Sequence, residues 1–130
     1  MCWISNKIPI EKIATENITV QKVLNKTNSN ELSSPIHSCI WKKRVKCEEI
    51  SEPEQLFKDI WTIHSGFHSC EKMCIVAGDW YCGKELIFKK DNFDILCEFI
   101  IPKGATYYKN ENGSYVSNKL KFVKTLTYIR

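Results

Sequence analysis

The chain has no long apolar run. None of its uninterrupted apolar stretches exceeds five residues, and Phe99-Ile100-Ile101 is typical. A helix that spans a bilayer needs about 20 apolar residues, so a transmembrane helix is excluded and no membrane partner is expected. The opening segment MCWISNKIPI lacks the basic start and continuous apolar core of a secretion signal, so the chain reads as cytoplasmic. Two phosphate-cradling patterns are also missing: G-x-x-x-x-G-K followed by Ser or Thr, and G-x-G-x-x-G. No C-x-x-C pair occurs, and no pair of acids stands at a revealing spacing. These absences remove the commonest nucleotide hydrolases and zinc ribbons, and no complete catalytic set remains. No cofactor is expected.

What is present suits a globular protein: 43% apolar, 12% aromatic and 26% charged residues in a chain of 130. That length fits one domain, residues 1–130, and buries roughly two-thirds of the unfolded surface, so neither a disulfide nor a metal is needed for folding. The seven cysteines (Cys2, Cys39, Cys47, Cys70, Cys74, Cys82, Cys97) are odd in number and irregularly spaced. They read as reduced, mostly buried thiols that behave as small apolar groups. A net charge of +4 is mild and argues against nucleic acid as the partner. The positive rim, densest at 42–46 and 119–124, still favours an anionic ligand.

Strand signals dominate. Residues 18–24 are β-branched and alternate, and so do 115–125; 40–46, 85–89, 96–101 and 105–109 are further strands. Asn110-Glu111-Asn112-Gly113 reads as a hairpin turn, because Asn-Gly tolerates positive φ. Residues 25–35, NKTNSNELSSP, read as a long surface loop. One helix has a start signal: Ser51 followed by Glu54, with Pro53 in the first turn. Leu56, Phe57, Ile60 and Trp61 then form one apolar stripe. A short second helix is expected over 69–75. The predicted class is α+β: mostly antiparallel sheet with one or two short helices.

Residues 63–70, IHSGFHSC, concentrate unusual chemistry. His64, His68, Cys70 and Cys74 are four possible zinc donors in eleven residues, but they match no standard zinc spacing. The bland alternative is histidines in a turn beside buried thiols. A cysteine nucleophile would need a base within hydrogen-bond reach, and no thiol-protease signature surrounds Cys70. Gly66 permits a sharp turn and close backbone approach to a ligand. Phe67 or Trp61 then stacks on a ring or is simply core, and His68 is either a donor to the ligand or a turn residue. In the second marked segment, residues 100–120, adjacent Tyr107 and Tyr108 face opposite sides of a strand, one to core and one to solvent. An exposed tyrosine beside Lys103 and Asn118 suits a flat anion. The predicted ligand set is therefore Gly66, His68, Lys103, Tyr108 and Asn118, with ordinary cross-strand aromatic pairing as the alternative.

The order MCWIS, ITVQKVL, GFHS and IIPKGATYYKNENGSYVSNKLK resembles a family of small β-rich proteins of gut Bacteroidales and of their phages and mobile elements. The resemblance covers most of the chain and implies a cytosolic protein of a bacterial host or its phage. It specifies no activity. A fainter resemblance, carried by Lys22, by Gly66-Phe67-His68-Ser69 and by the stretch 101–120, is to ADP-ribosyltransferases, a fold that binds NAD between two small sheets. In that comparison Lys22 stands for the usual Arg, and His68-Ser69-Cys70 for Ser-Thr-Ser. The late Glu has no counterpart but Glu111. Three readings follow. The leading one is a non-enzymatic binder, such as a phage-encoded anti-defence protein that sequesters a nucleotide-like signal or a host protein. The others are an NAD-using transferase and a zinc-stabilised interaction module. A homo-oligomer, built through an exposed Trp3 or Trp41, is compatible with each.

Overall fold

The computed structural model describes residues 3–26, 32–33, 40–41, 45–76, 79–89 and 95–128. In chain order the strands are β1 (Trp3–Ser5), β2 (Lys12–Ile13), β3 (Ile18–Lys26), β4 (Leu32–Ser33), β5 (Ile40–Trp41) and β6 (Val45–Cys47). Next come β7 (Glu54–Phe57), β8 (Ile60–Ile63), β9 (Phe67–Cys70), β10 (Met73–Val76), β11 (Asp79–Cys82) and β12 (Glu85–Lys89). The last four are β13 (Ile95–Ile101), β14 (Thr106–Lys109), β15 (Ser114–Ser117) and β16 (Lys119–Tyr128).

The main sheet runs β2-β14-β15-β9-β3-β13-β16-β6, and β4 and β5 extend it from β3. All of its pairings are antiparallel. Only Asn118 separates β15 from β16, although they stand third and seventh in the order. The pairings β16–β13–β3–β9–β15 therefore close into a circuit, and the sheet must curl around its own inner face. Alternation decides what fills the inside. Val20 and Leu24 of β3 lie opposite Phe99 and Ile95 of β13. With Phe67, Cys97, Ile101, Tyr115, Leu120 and Phe122 they form one buried cluster, where Phe99 and Phe122 meet edge to face at 5.5 Å.

Two small sheets cover the outer face. In the first, β1-β8-β7, Trp3 and Ile63 pack on Val116 of β15, with Ile50 and Tyr108 at the side. Trp3 is 1% exposed and its Nε1 donates to the Ser114 carbonyl at 2.9 Å. It is an anchor and not the oligomer contact that an exposed indole would make; the side chain of Trp41 lies outside the described residues. In the second sheet, β10-β11-β12, Met73, Trp80, Cys82 and Ile87 pack on Val23, Cys70 and Leu96.

The α+β expectation is overturned: no helix occurs among the described residues, and the fold is all-β. The predicted helix at 51–61 is instead the hairpin β7–β8, turning at Lys58-Asp59. Ser51 does cap N–H groups, but distant ones: its Oγ accepts from His64 N and Ser65 N at 3.1 and 2.9 Å. The apolar stripe is real in sequence yet has no core to face, since Phe57 is 73% exposed. Pairing of β8 with the remote β1, Trp3 opposite Ile63, decides the conformation. The expected helix at 69–75 is the end of β9 and the start of β10. Strand pairing also claims part of the expected 25–35 loop, with Asn25 opposite Ser33 and Lys26 opposite Leu32; residues 27–31 and 34–35 lie outside the described set. The Asn110–Gly113 turn forms, closed by Asn110 N donating to Ser114 O at 3.0 Å, with Gly113 at φ 81°.

Gly66 adopts φ +123°, and a Cβ there would stand 2.6 Å from Val116 Cγ1. Gly104 has φ +90° but nothing within 4 Å of the same position. Gly66→Ala is expected to cost about 3 kcal/mol, strain and clash together, against about 1 kcal/mol of strain for Gly104→Ala. Urea melts of the two variants check the difference; equal losses would remove the packing role given to Gly66.

Candidate functional site

The predicted ligand residues divide between roles. His68, Val116 and Tyr108 are successive cross-strand partners on β9, β15 and β14, so their side chains share one face. Gly66 abuts Val116 from the preceding bend. That face is the one β1 and β8 cover, and His68 is buried. Tyr108 meets Trp3 edge to face at 6.4 Å. Tyr107, on the opposite face, packs against the inner cluster, so both tyrosines are half-buried and neither is the solvent-facing one expected. Partial burial raises the Tyr108 hydroxyl, with Glu11 and then Glu52 adding to it.

Asn118 is a structural junction. Its Oδ1 accepts from Thr106 N at 2.9 Å, its N–H donates to Thr106 O, and its carbonyl accepts from Glu48 N. Lys103 sits apart, in the exposed β13–β14 turn, where its backbone N–H donates to Asn17 Oδ1 at 3.0 Å. Asn118 does line a groove of about 460 Å³ with Glu11, Glu48, Glu49, Ile50, Thr106 and Lys119. Three carboxylates against one ammonium make that groove unsuited to an anion.

The zinc donors are not assembled. His64 is exposed and bonds Glu54 at 3.2 Å, Cys74 is exposed, and Cys70 is buried. Among the described residues no three His, Cys, Asp or Glu side chains are grouped to hold a metal. Cys70, the thiol weighed as a nucleophile, is buried; Cys97 is buried in the inner cluster, and burial pushes its thiol up to about 11. The positions that carry the resemblance to ADP-ribosyltransferases are engaged in holding the fold. Lys22 Nζ donates to His68 O at 2.8 Å. Glu111 accepts from Ser5 Oγ and from Asn6 N, both at 3.0 Å.

A groove that the sequence does not reveal carries the positive charge. It encloses about 300 Å³ and is lined by Lys7, Lys12, Lys109, Ser5, Asn110 and Glu111, with an apolar wall of Ile8, Pro9 and Ile10. The segment 5–12 reaches it because Glu111 ties down Ser5 and Asn6, while Asn110 Nδ2 donates to Ile4 O at 2.7 Å. Asn110 is buried, and its Oδ1 also accepts from Asn112 N and Ser114 N. Lys109 lies 3.5 Å from a Glu71 carboxylate oxygen and 5.4 Å from the Tyr115 ring centre. Lys7 and Lys12 come from one end of the chain and Lys109 from near the other. Their charges form no cluster in sequence, so only strand pairing brings them together.

No family model, curated protein or solved structure matches the chain.

Two carboxylates near the Asn110–Gly113 turn have opposite electrostatics. Burial raises Glu85 above the usual carboxylate range. Glu111 is held below it, because the backbone N–H of Asn6 and the Ser5 hydroxyl outweigh its desolvation. A depressed acid stabilises the fold above its unfolded pKa and loses that contribution as pH falls; a raised acid does the reverse. At pH 7, Glu111→Gln should lower the melting temperature and Glu85→Gln should raise it. Both differences should vanish well below pH 4, the ordinary carboxylate range being about 4.3. Thermal melts across pH check the signs, and a shift of the same sign for both variants would contradict the assignment.

Proposed function

We propose that the protein is a non-enzymatic binder of a small anionic ligand, with the groove of Lys7, Lys12 and Lys109 as its site. The observation that carries this reading is a groove lined by three lysines against one carboxylate, Glu111, beside an apolar wall. Ammonium groups supply charge to a phosphate, and Ile8, Pro9 and Ile10 supply contact area to a ring or sugar. The volume of about 300 Å³ lies at the lower end of ligand pockets. It suits a phosphate ester or a mononucleotide and is small for a dinucleotide such as NAD, which disfavours the transferase alternative. Sequestration of a nucleotide-like signal by a phage-encoded anti-defence protein is the biological setting that agrees with the resemblance to proteins of Bacteroidales phages.

A second reading, a host protein as partner, is favoured by one observation. Ile8, Ile10 and Ile13 are 70%, 69% and 64% exposed within six residues of chain, more apolar surface than a short polar loop usually presents.

Calorimetric titration with adenosine monophosphate and with inorganic pyrophosphate tests the leading reading. Binding should weaken as salt rises, because screening acts on exposed charge. The double variant Lys7→Glu, Lys12→Glu should lose at least about tenfold in affinity, equivalent to about 1.4 kcal/mol, while Lys103→Glu should change little. Absence of heat with either anion, or equal losses in the two variants, would rule the groove out. Loss of a co-purifying protein in Ile8→Ser, Ile10→Ser, with anion binding intact, would favour the second reading.

A further inference from the structure

Away from the lysine groove, three sulfur-bearing side chains share the apolar layer between the main sheet and β10–β12. Cys70 ends β9, Met73 opens β10 and Cys82 ends β11. Met73 and Cys82 are direct cross-strand partners, so their side chains lie side by side on one face. Cys70 approaches from the main sheet and belongs to the same buried cluster as Met73 and Cys82. Cys70, Met73 and Cys82 are 2%, 6% and 0% exposed. Val23, Trp80, Ile87 and Leu96 wall them in.

We infer that Cys70, Cys82 and Met73 form a binding site for a soft monovalent cation of the copper(I) and silver(I) class. Thiolate and thioether donors select such ions. Zinc prefers four tetrahedral ligands, and only two strong donors converge here. On binding, each S–H bond breaks, its proton passes to solvent, and a sulfur–metal bond takes its place. The Met73 thioether donates a lone pair and loses no proton, and no atom changes oxidation state. Two thiolates and one monovalent cation leave a single negative charge.

A surface groove lies alongside. A groove of about 530 Å³ is lined by Glu71, Lys72, Cys74, Gly83 and Asn112. The Asn112 carbonyl, which accepts from Cys82 Sγ at 3.5 Å, stands between the groove and the sulfur cluster. The exposed thiol of Cys74 opens into the same groove and gives an arriving soft ion its first ligand.

The test is anaerobic titration of the reduced, full-length protein with copper(I) in competition with bicinchoninate, followed by X-ray absorption at the copper edge. The expected result is one copper(I) withheld per chain, with a first shell of sulfur only. Cys70→Ser and Cys82→Ser should each abolish retention. Met73→Leu should weaken it about tenfold, and Cys74→Ser and Cys47→Ser should keep the stoichiometry. No copper withheld by the folded wild-type protein, an oxygen or nitrogen shell, or full retention in the Cys70→Ser, Cys82→Ser double variant would overturn the assignment. Because the absorption measurement uses the wild-type chain, the answer does not depend on whether the serine variants fold.

Discussion

The fold depends on one junction. At Asn118 the chain passes from β15 into β16 with no loop between them, and three hydrogen bonds converge there: two with Thr106 and one from Glu48. Because the same run of chain lies beside β9 at one end and β13 at the other, the sheet cannot stay flat. Curling gives it an inside, and the inside collects Val20, Leu24, Phe99, Phe122 and their neighbours. Burial of that apolar surface is the main favourable contribution to folding. Asn118, expected from sequence to touch a ligand, gives this junction one side-chain and two backbone hydrogen bonds.

Closure of the main sheet also sorts the surface chemistry. Its outer face must be covered, and it is covered by two small sheets at different places. The β1 sheet brings Trp3 over Val116, and the segment following β1 is thereby drawn against the Asn110–Gly113 turn. Glu111 and Asn110 hold it there, which places Lys7 and Lys12 beside Lys109. The β10 sheet brings Met73 and Cys82 over Cys70. The lysine groove and the sulfur cluster are thus consequences of the same covering step. Both lean on Ser114, which pairs with Cys70 and whose carbonyl receives the Trp3 indole.

Charge divides two of the surface grooves in opposite senses. Glu11, Glu48 and Glu49 dominate the one at Asn118, whereas lysines dominate the one at Asn110. A net charge of +4 conceals this division. Averaged over the chain, a positive rim is a fair description. Among the described residues, three lysines line the Asn110 groove, while Asn118, which the sequence marks for anion binding, borders the acidic one.

Strands with their own alternation were legible from sequence. Along residues 18–24, Val20 and Leu24 enter the inner cluster, while Val23 turns to the outer face beside Cys70, as the alternation of β3 requires. The Asn-Gly turn was legible because its φ requirement is local. The hairpin β7–β8 was not, since its apolar spacing suits a helix until β1 arrives from the opposite end of this half of the chain, Ser5 pairing with Trp61 and Trp3 with Ile63. By itself the sequence determined the strand-rich composition, the turn at Gly113 and the lack of a spanning helix, all properties of short stretches. Tertiary structure alone decided the all-β class, the burial of Trp3 and His68, the gathering of Lys7, Lys12 and Lys109, and the meeting of Cys70, Met73 and Cys82. Each of these rests on pairing between strands far apart in the chain, and local periodicity carries no information about which distant strand will supply the other half of a ladder.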